Sequence, residues 1–407
     1  VRRVVVTGLG VVSPLGCDAE TFFANLLAGK TGIRNLAAHW SPDVWAGTVD
    51  LDLDLHFPKL KRIGLDRVSM LALVAARQAV AQAGFDTRAH AERTGIYWSS
   101  GMGGAATLEA AYQDLLVKKA ARLKPTTIVS VMTNAATGQI GIEFGIHGPS
   151  LTYSSACSSS AVAVGEAVRA IRFGLVDAAI TGGAEALLTE GVIRAWESLG
   201  TLAKPDPERP GTGCRPFAAD RSGFLLGEGA GALLLEEEGS ARARGATILA
   251  EVAGYGNTTD ASHITQPDSA GQARAMRQAL AESGLAPEAI GHINAHGTGT
   301  KAGDVSETQA IKAVFGAHAG AIPIAATKAL HGHLMGATGA VEFIAAIQAL
   351  RQGVAPPTAH LWQPDPECDL DYAPLTARPL GSAGAVMSNS FGFGGNNAVL
   401  VARRATG

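Results

Sequence analysis

The chain reads as an α/β fold laid out in two halves, 1–245 and 246–407. Three observations lead there. Short apolar, β-prone runs recur along the 407 residues and close on glycine-punctuated stretches. Segments with helical spacing lie between them, and the alternation restarts near position 245 without a flexible linker.

Composition sets the bounds. A chain that is 47% hydrophobic and 17% charged is globular, and a net charge of −3 excludes a broadly basic nucleic-acid binder. The 50 glycines are many for this length and point to tight turns and close backbone approach. Cys17, Cys157, Cys214 and Cys368 show no Cys-x-x-Cys spacing, which argues against a zinc site or disulfide framework and suits a reducing cytoplasm. No apolar run reaches the roughly 18 to 20 residues of a membrane span. Val1-Arg2-Arg3-Val4-Val5-Val6 runs into a strand without the shape of a signal peptide.

In the first half, Val4–Val6 predicts a buried strand, followed by turns at Thr7-Gly8-Leu9-Gly10 and Ser13-Pro14-Leu15-Gly16. A dinucleotide loop fails there because position 13 is Ser. Lys59, Lys61, Arg62 and Arg67 form a basic group ahead of a helix over Ser69–Gly84, and Lys118, Lys119, Arg122 and Lys124 form a second before Pro125. Such runs are usually solvated faces, but on a mildly acidic chain they could also steer an acidic partner. Strand Ile96–Ser99 ends in Ser100-Gly101-Met102-Gly103-Gly104, a helix is expected over Ser130–Ile142, and strand Ala178–Thr181 closes on Gly182-Gly183-Ala184-Glu185. Pro205–Pro216 is a loop, and Ala232–Leu235 is the last strand before a charged helix and turn over Glu236–Gly245.

Between these strands lies Thr152-Tyr153-Ser154-Ser155-Ala156-Cys157-Ser158-Ser159-Ser160. A β-prone run leads into it, and Ala161, Val164, Val168 and Ile171 follow at helical spacing, so Cys157 caps a helix. There the helix dipole and unpaired N–H groups favour thiolate. A free cysteine is, on the other hand, most often a small buried hydrophobe.

The second half opens with a strand at Ile248–Tyr255 and carries three more strand ends rich in polar residues. They are His292-Ile293-Asn294-Ala295-His296-Gly297-Thr298-Gly299-Thr300, Thr327-Lys328-Ala329-Leu330-His331-Gly332-His333 and Ser388-Asn389-Ser390-Phe391-Gly392-Phe393-Gly394-Gly395-Asn396-Asn397. Strand C-termini are where α/β folds place chemistry. Two neutral imidazoles could stabilise an enolate oxygen, a glycine loop beside the thiol could hold a thioester oxyanion, and Lys328 could hold Glu342, though an ordinary helix pair would look the same. A metal reading fails on the spacing of His331 and His333, and a serine-hydrolase reading fails for want of a Gly-x-Ser-x-Gly elbow.

These ordered motifs, spanning nearly the whole chain, resemble the elongating β-ketoacyl-acyl-carrier-protein synthases of the synthase II type. The resemblance implies the duplicated five-layer αβαβα thiolase-like architecture and an acyltransferase that elongates fatty acyl, polyketide or polyene chains by two carbons. It implies Cys157 as nucleophile, His296 and His333 as the pair serving malonyl decarboxylation, and Lys328 with Glu342 as their support. Phe393 matches the gating phenylalanine whose N–H, with that of Cys157, forms the oxyanion hole. Thr298 and Thr300 match the phosphopantetheine contacts, and Met102 and Trp196 match positions along the acyl pocket. No cofactor is implied, because substrates arrive on the phosphopantetheine of an acyl carrier protein, which the two basic groups would dock. The partner subunit would be a second copy or a chain-length factor. Gly299 and Asn396 stand where fatty-acid enzymes usually have Ser and Thr, a departure toward polyketide or polyene ketosynthases. A non-catalytic chain-length factor shares the fold but typically lacks the cysteine, and priming synthases that accept acyl-CoA resemble a Cys-His-Asn set instead.

Overall fold

The computed structural model describes residues 2–36, 44–381 and 384–405. Ten strands join in one sheet: β1 (Val4–Val12), β2 (Thr94–Ser99), β3 (Ser150–Tyr153), β4 (Ala178–Glu185), β5 (Gly229–Glu237), β6 (Ala250–Thr259), β7 (Ile290–Asn294), β8 (Ile324–Ala325), β9 (Ala385–Gly392) and β10 (Asn396–Arg403). Their order across it is β3-β2-β4-β5-β1-β6-β10-β9-β7-β8. From the centre outward the first half runs 1-5-4-2-3 and the second 6-10-9-7-8, so adding five to a strand's number carries one half onto the other. Directions match too: the inner pairs of each half are antiparallel, and the outer pairs parallel. The halves join where β1 meets β6, with Val5 opposite Glu251.

Helices complete the layers. α1 (Arg67–Ala83) covers the outer face of the first half, and α3 (Ser269–Ser283), backed by α4 (Lys301–Phe315), covers that of the second. Between the two β layers lie α2 (Ser159–Arg172) and α5 (Thr338–Gln352), giving the duplicated five-layer αβαβα arrangement. A helix in the middle layer has no wet side, and α5 is buried without a break from Thr338 to Leu350. No helix among the described residues is long and apolar enough to cross a membrane.

Several expected boundaries move, each for a packing reason. Thr7-Gly8-Leu9-Gly10 is not a turn but the middle of β1. Its glycines admit α1, since a Cβ on Gly8 or Gly10 would stand 1.9 Å from the carbonyl oxygen of Ala79 or Ala75. The second half repeats the device: Gly254 and Gly256 of β6 face the carbonyls of Ala279 and Ala275 on α3. Gly182 and Gly183 likewise belong to β4, paired with Ala232 and Gly231 of β5, which itself begins at Gly229. α1 starts at Arg67 because Asp66 accepts the Val68 N–H, and it stops at Gly84, whose φ is 58°. The single helix expected over Ser130–Ile142 is two, Thr127–Val131 and Ala135–Phe144, broken where Met132 turns extended at ψ 140°.

Candidate active site

Cys157 sits 7% exposed between β3 and α2. The turn is tight. Ala156 takes a left-handed φ of 51°, and Ser159 Oγ accepts the Ser155 N–H at 2.8 Å while donating to the Ala156 carbonyl at 2.6 Å. The helix start was expected to make the thiol acidic. Burial instead pushes it up to about 11, against the pull of the Lys328 charge and the backbone N–H groups of Phe393 and Cys157. Loss of water costs the thiolate more than one helix turn returns. The same two N–H groups converge beside the sulfur, where a thioester oxyanion would form.

His296 and His333 reach that sulfur from the second half. Their rings stand edge to face at 5.7 Å, and the ligand atoms of Cys157, His296 and His333 lie within 4.8 Å of one another. Burial first, and then the Lys328 charge, hold both imidazoles well below the ordinary histidine range, so both are neutral at pH 7. The Met335 N–H donates to His333 Nδ1 at 3.2 Å and the Thr338 hydroxyl does so at 2.8 Å. A nitrogen that accepts a backbone N–H carries no proton, so the ring proton is on Nε2, which is buried with no partner among the described residues. His333 therefore presents a donor to the cavity. His296 is held by its backbone: its N–H and that of Gly297 donate to Glu307 at 2.8 and 2.9 Å, and its carbonyl accepts from Lys328 Nζ.

Lys328 and Glu342 are both fully buried, with Nζ 2.8 Å from each carboxylate oxygen. Burial drives the Glu342 carboxyl up while the Lys328 charge opposes it. This is no ordinary helix pair, because it ends on the His296 carbonyl.

Phe393 turns the chain between β9 and β10 and stacks on Trp196, centroids 6.1 Å apart. Gly392 before it lets the backbone approach: a Cβ there would lie 2.8 Å from the Ser155 carbonyl oxygen and 3.2 Å from the Cys157 nitrogen. A cavity of about 260 Å³ is lined by Cys157, His296, His333, Phe393, Thr298 and Thr300, the two threonine hydroxyls 2.9 Å apart. A second, largely apolar cleft of about 700 Å³ holds Met102 and Trp196 and shares Leu199 with the first. The Phe393–Trp196 stack stands between them.

The basic groups divide. Lys59, Lys61, Lys119, Arg122 and Lys124 are exposed, and the two segments adjoin where Ser130 Oγ donates to the Gly64 carbonyl at 2.7 Å. Lys118 pairs with Asp114 at 2.9 Å and Arg62 with Asp54. Arg67 is partly buried and pairs with Glu228 at 2.6 and 2.7 Å.

Sequence reasoning missed Glu307, Thr338 and Glu185. The first two are ordinary helix residues by pattern, and only the fold carries them to the histidines. The spacing argument against a metal also looked only at sequence neighbours, whereas the fold gathers a Cys and two His. The set still does not suit a metal, because the His333 nitrogen that faces the cavity holds the proton.

Two family models match, beta-ketoacyl synthase N-terminal domain over residues 1–241 and beta-ketoacyl synthase C-terminal domain over residues 249–362. A 3-oxoacyl-[acyl-carrier-protein] synthase 2 of Staphylococcus aureus is 40% identical over 99% of this chain and 98% of its own length. Nodulation protein E of Rhizobium meliloti is 43% identical over 98% of each. The solved structure of the ishigamide ketosynthase/chain length factor superposes with a TM-score of 0.92 at 35% identity, covering 100% of both chains. With both domains matched and the relatives aligned end to end, the chain around this cysteine and its two histidines belongs to the β-ketoacyl synthase family.

Proposed function

We propose that this enzyme takes an acyl chain onto Cys157 and condenses it with a malonyl group on an acyl carrier protein, with loss of carbon dioxide. The observation that carries the reading is the meeting of the Cys157 sulfur with two neutral imidazoles within 4.8 Å. In the first step the sulfur attacks the thioester carbonyl of the incoming acyl carrier, its proton passing to the side of His296, whose ring nitrogens have no fixed partner among the described residues. The oxyanion rests on the N–H groups of Cys157 and Phe393, the carrier thiol leaves with the proton, and an acyl-cysteine remains. In the second step malonyl-carrier enters along Thr298 and Thr300. Its carboxylate departs as carbon dioxide, and the electron pair left behind forms an enolate whose oxygen takes hydrogen bonds from His333 Nε2–H and His296. The enolate carbon then attacks the acyl-cysteine carbonyl, the C–S bond breaks with its electron pair on sulfur, Cys157 takes up a proton from solvent, and a β-ketoacyl carrier two carbons longer is released.

On this reading the chain brings no cofactor of its own, works in the cytoplasm where Cys157 stays reduced, and meets its carrier at Lys59, Lys61 and Lys119–Lys124. Its partner subunit would lie along β3, the edge strand of the first half, whose Leu151 is 47% exposed. That partner is a second copy or a chain-length factor. The likeness to the ishigamide ketosynthase/chain length factor supports a chain-length factor as that partner, and Gly299 with Asn396 supports polyketide or polyene work beside fatty-acid elongation. The catalytic cysteine and both histidines in one cavity tell against a non-catalytic subunit.

The test is to mix the protein with acyl-carrier and malonyl-carrier and weigh the products. Cys157 gaining the acyl mass and a β-ketoacyl carrier appearing is the expected result, and neither appearing overturns the reading.

A further inference from the structure

Glu185, the last residue of β4, is fully buried and has no cationic partner among the described residues. Its carboxylate is instead surrounded by donors from two separate segments. Oε2 accepts the Gly101 N–H at 2.7 Å and the Gly336 N–H at 3.0 Å; Oε1 accepts the Ser100 hydroxyl at 3.1 Å and the Met102 N–H at 3.3 Å. The fit depends on absent side chains, since a Cβ at Gly101 or Gly336 would come within 2.7 or 2.6 Å of Oε2.

Each segment leads to a different part of the chemistry. Met102 lines the apolar cleft. Gly336 follows Met335, whose backbone is held at a left-handed φ of 45° and whose N–H fixes the His333 tautomer. Ser99 Oγ pins the same stretch from the other side by donating to the Gly336 carbonyl at 2.9 Å. Without an acceptor at Gly336 N–H, a β-unbranched residue such as Met335 has little reason to stay in a sparsely populated conformation. If it relaxes, the Met335 N–H leaves His333 Nδ1, and the ring is free to carry its proton on either nitrogen.

We propose that Glu185 is a positioning residue: by clamping Gly101–Met102 and Gly336 together it holds the Met335 turn, and with it the Nε2–H form of His333, in register with the wall of the acyl cleft. This rests on His333 being the enolate's donor, and it adds a residue that never touches substrate. A chain lying against Met102 thus bears on the same carboxylate that keeps the decarboxylating imidazole in the right form.

The experiment compares Glu185→Ala, Glu185→Gln and Glu185→Asp with the parent by two readouts. Nitrogen-15 spectra of histidine-labelled resting protein report the His333 tautomer without substrates, so this arm stands even if the condensing reaction is wrong. The parent should show a single Nε2–H form, Glu185→Ala a mixture, and Glu185→Gln, whose one oxygen can serve both N–H groups at the Oε2 position, a return to the parent pattern. In kinetics, Glu185→Ala should lower condensation at least tenfold while iodoacetamide alkylation of Cys157 holds or quickens, because Glu185 disfavours the thiolate. Should the Ala variant not fold, Glu185→Asp, which keeps the carboxyl group but draws it back by one methylene, takes its place. A single Nε2–H form in the Ala or Asp variant, or condensation and alkylation falling together, overturns the assignment.

Discussion

Lys328 and Glu342 form an ion pair with no solvent on either side, and the lysine's remaining donor goes to the carbonyl of His296. Two charges taken wholly out of water hold together well but gain little over an apolar pair of the same size. Removing one leaves the other stranded. Lys328→Ala is therefore expected to cost about 3–5 kcal/mol in denaturant unfolding, and Lys328→Met with Glu342→Leu to recover most of it. Condensation should stay lost in the double variant, because the His296 carbonyl still lacks its donor. Recovery of both together would show that the pair serves stability alone.

Cys157→Ala should end acyl transfer outright. Intact-protein mass spectrometry after incubation with acyl-carrier is expected to show no added acyl group, since the remaining buried cysteines, Cys214 and Cys368, lie outside the cavity that carries the histidines.

His333→Ala should separate the two steps. Acylation of Cys157 is expected within a few-fold of the parent, whereas condensation falls by roughly 10²–10³, the usual loss when one preorganised oxyanion donor is removed. Single-turnover acylation against steady-state product formation gives the comparison.

The thiol's pH behaviour follows from burial. With its value pushed up to about 11, the thiolate fraction of Cys157 is small at pH 7 and grows about tenfold per pH unit through pH 10. Alkylation by iodoacetamide, corrected with Cys157→Ala, should rise across that whole range with no plateau near pH 7. A plateau there would mean the helix dipole prevails. The imidazoles run the other way. Held well below 6.5, they stay neutral as the pH falls from 7.5 to 5.5, so condensation by preformed acyl-enzyme should not lose its histidine-dependent rate in that interval.

For the carrier, Lys59→Glu with Lys61→Glu should raise KM several-fold, more at low salt than at high. Arg67→Ala should leave KM near the parent and lower stability, because its partner is Glu228 within the fold. The reverse pattern would move the docking surface onto α1.

Strand ends carrying Cys157, His296, Lys328, His333 and Phe393 were legible because glycine turns after β-prone runs are local features. What escaped depends on distance. Gly8 and Gly10 looked like a loop because the helix that needs their bare backbone lies some 70 residues on. The Arg67–Glu228 pair was invisible because its members lie 161 residues apart. The thiol looked acidic because a helix start is visible in a sequence and the depth of burial is not. The doubling of the fold left no repeat visible by eye in the residues, yet the strand order spells it out.

That doubling bears on where the cysteine and the histidine come from. Cys157 lies between the third strand and the middle-layer helix of one half, and His333 between the eighth strand and the middle-layer helix of the other, each beside a residue forced into positive φ. The cysteine and this histidine thus occupy the same address in two copies of one motif. A tandem ancestor would have needed only to let two equivalent loops drift apart in chemistry, while the scaffold already aimed both at a shared midpoint.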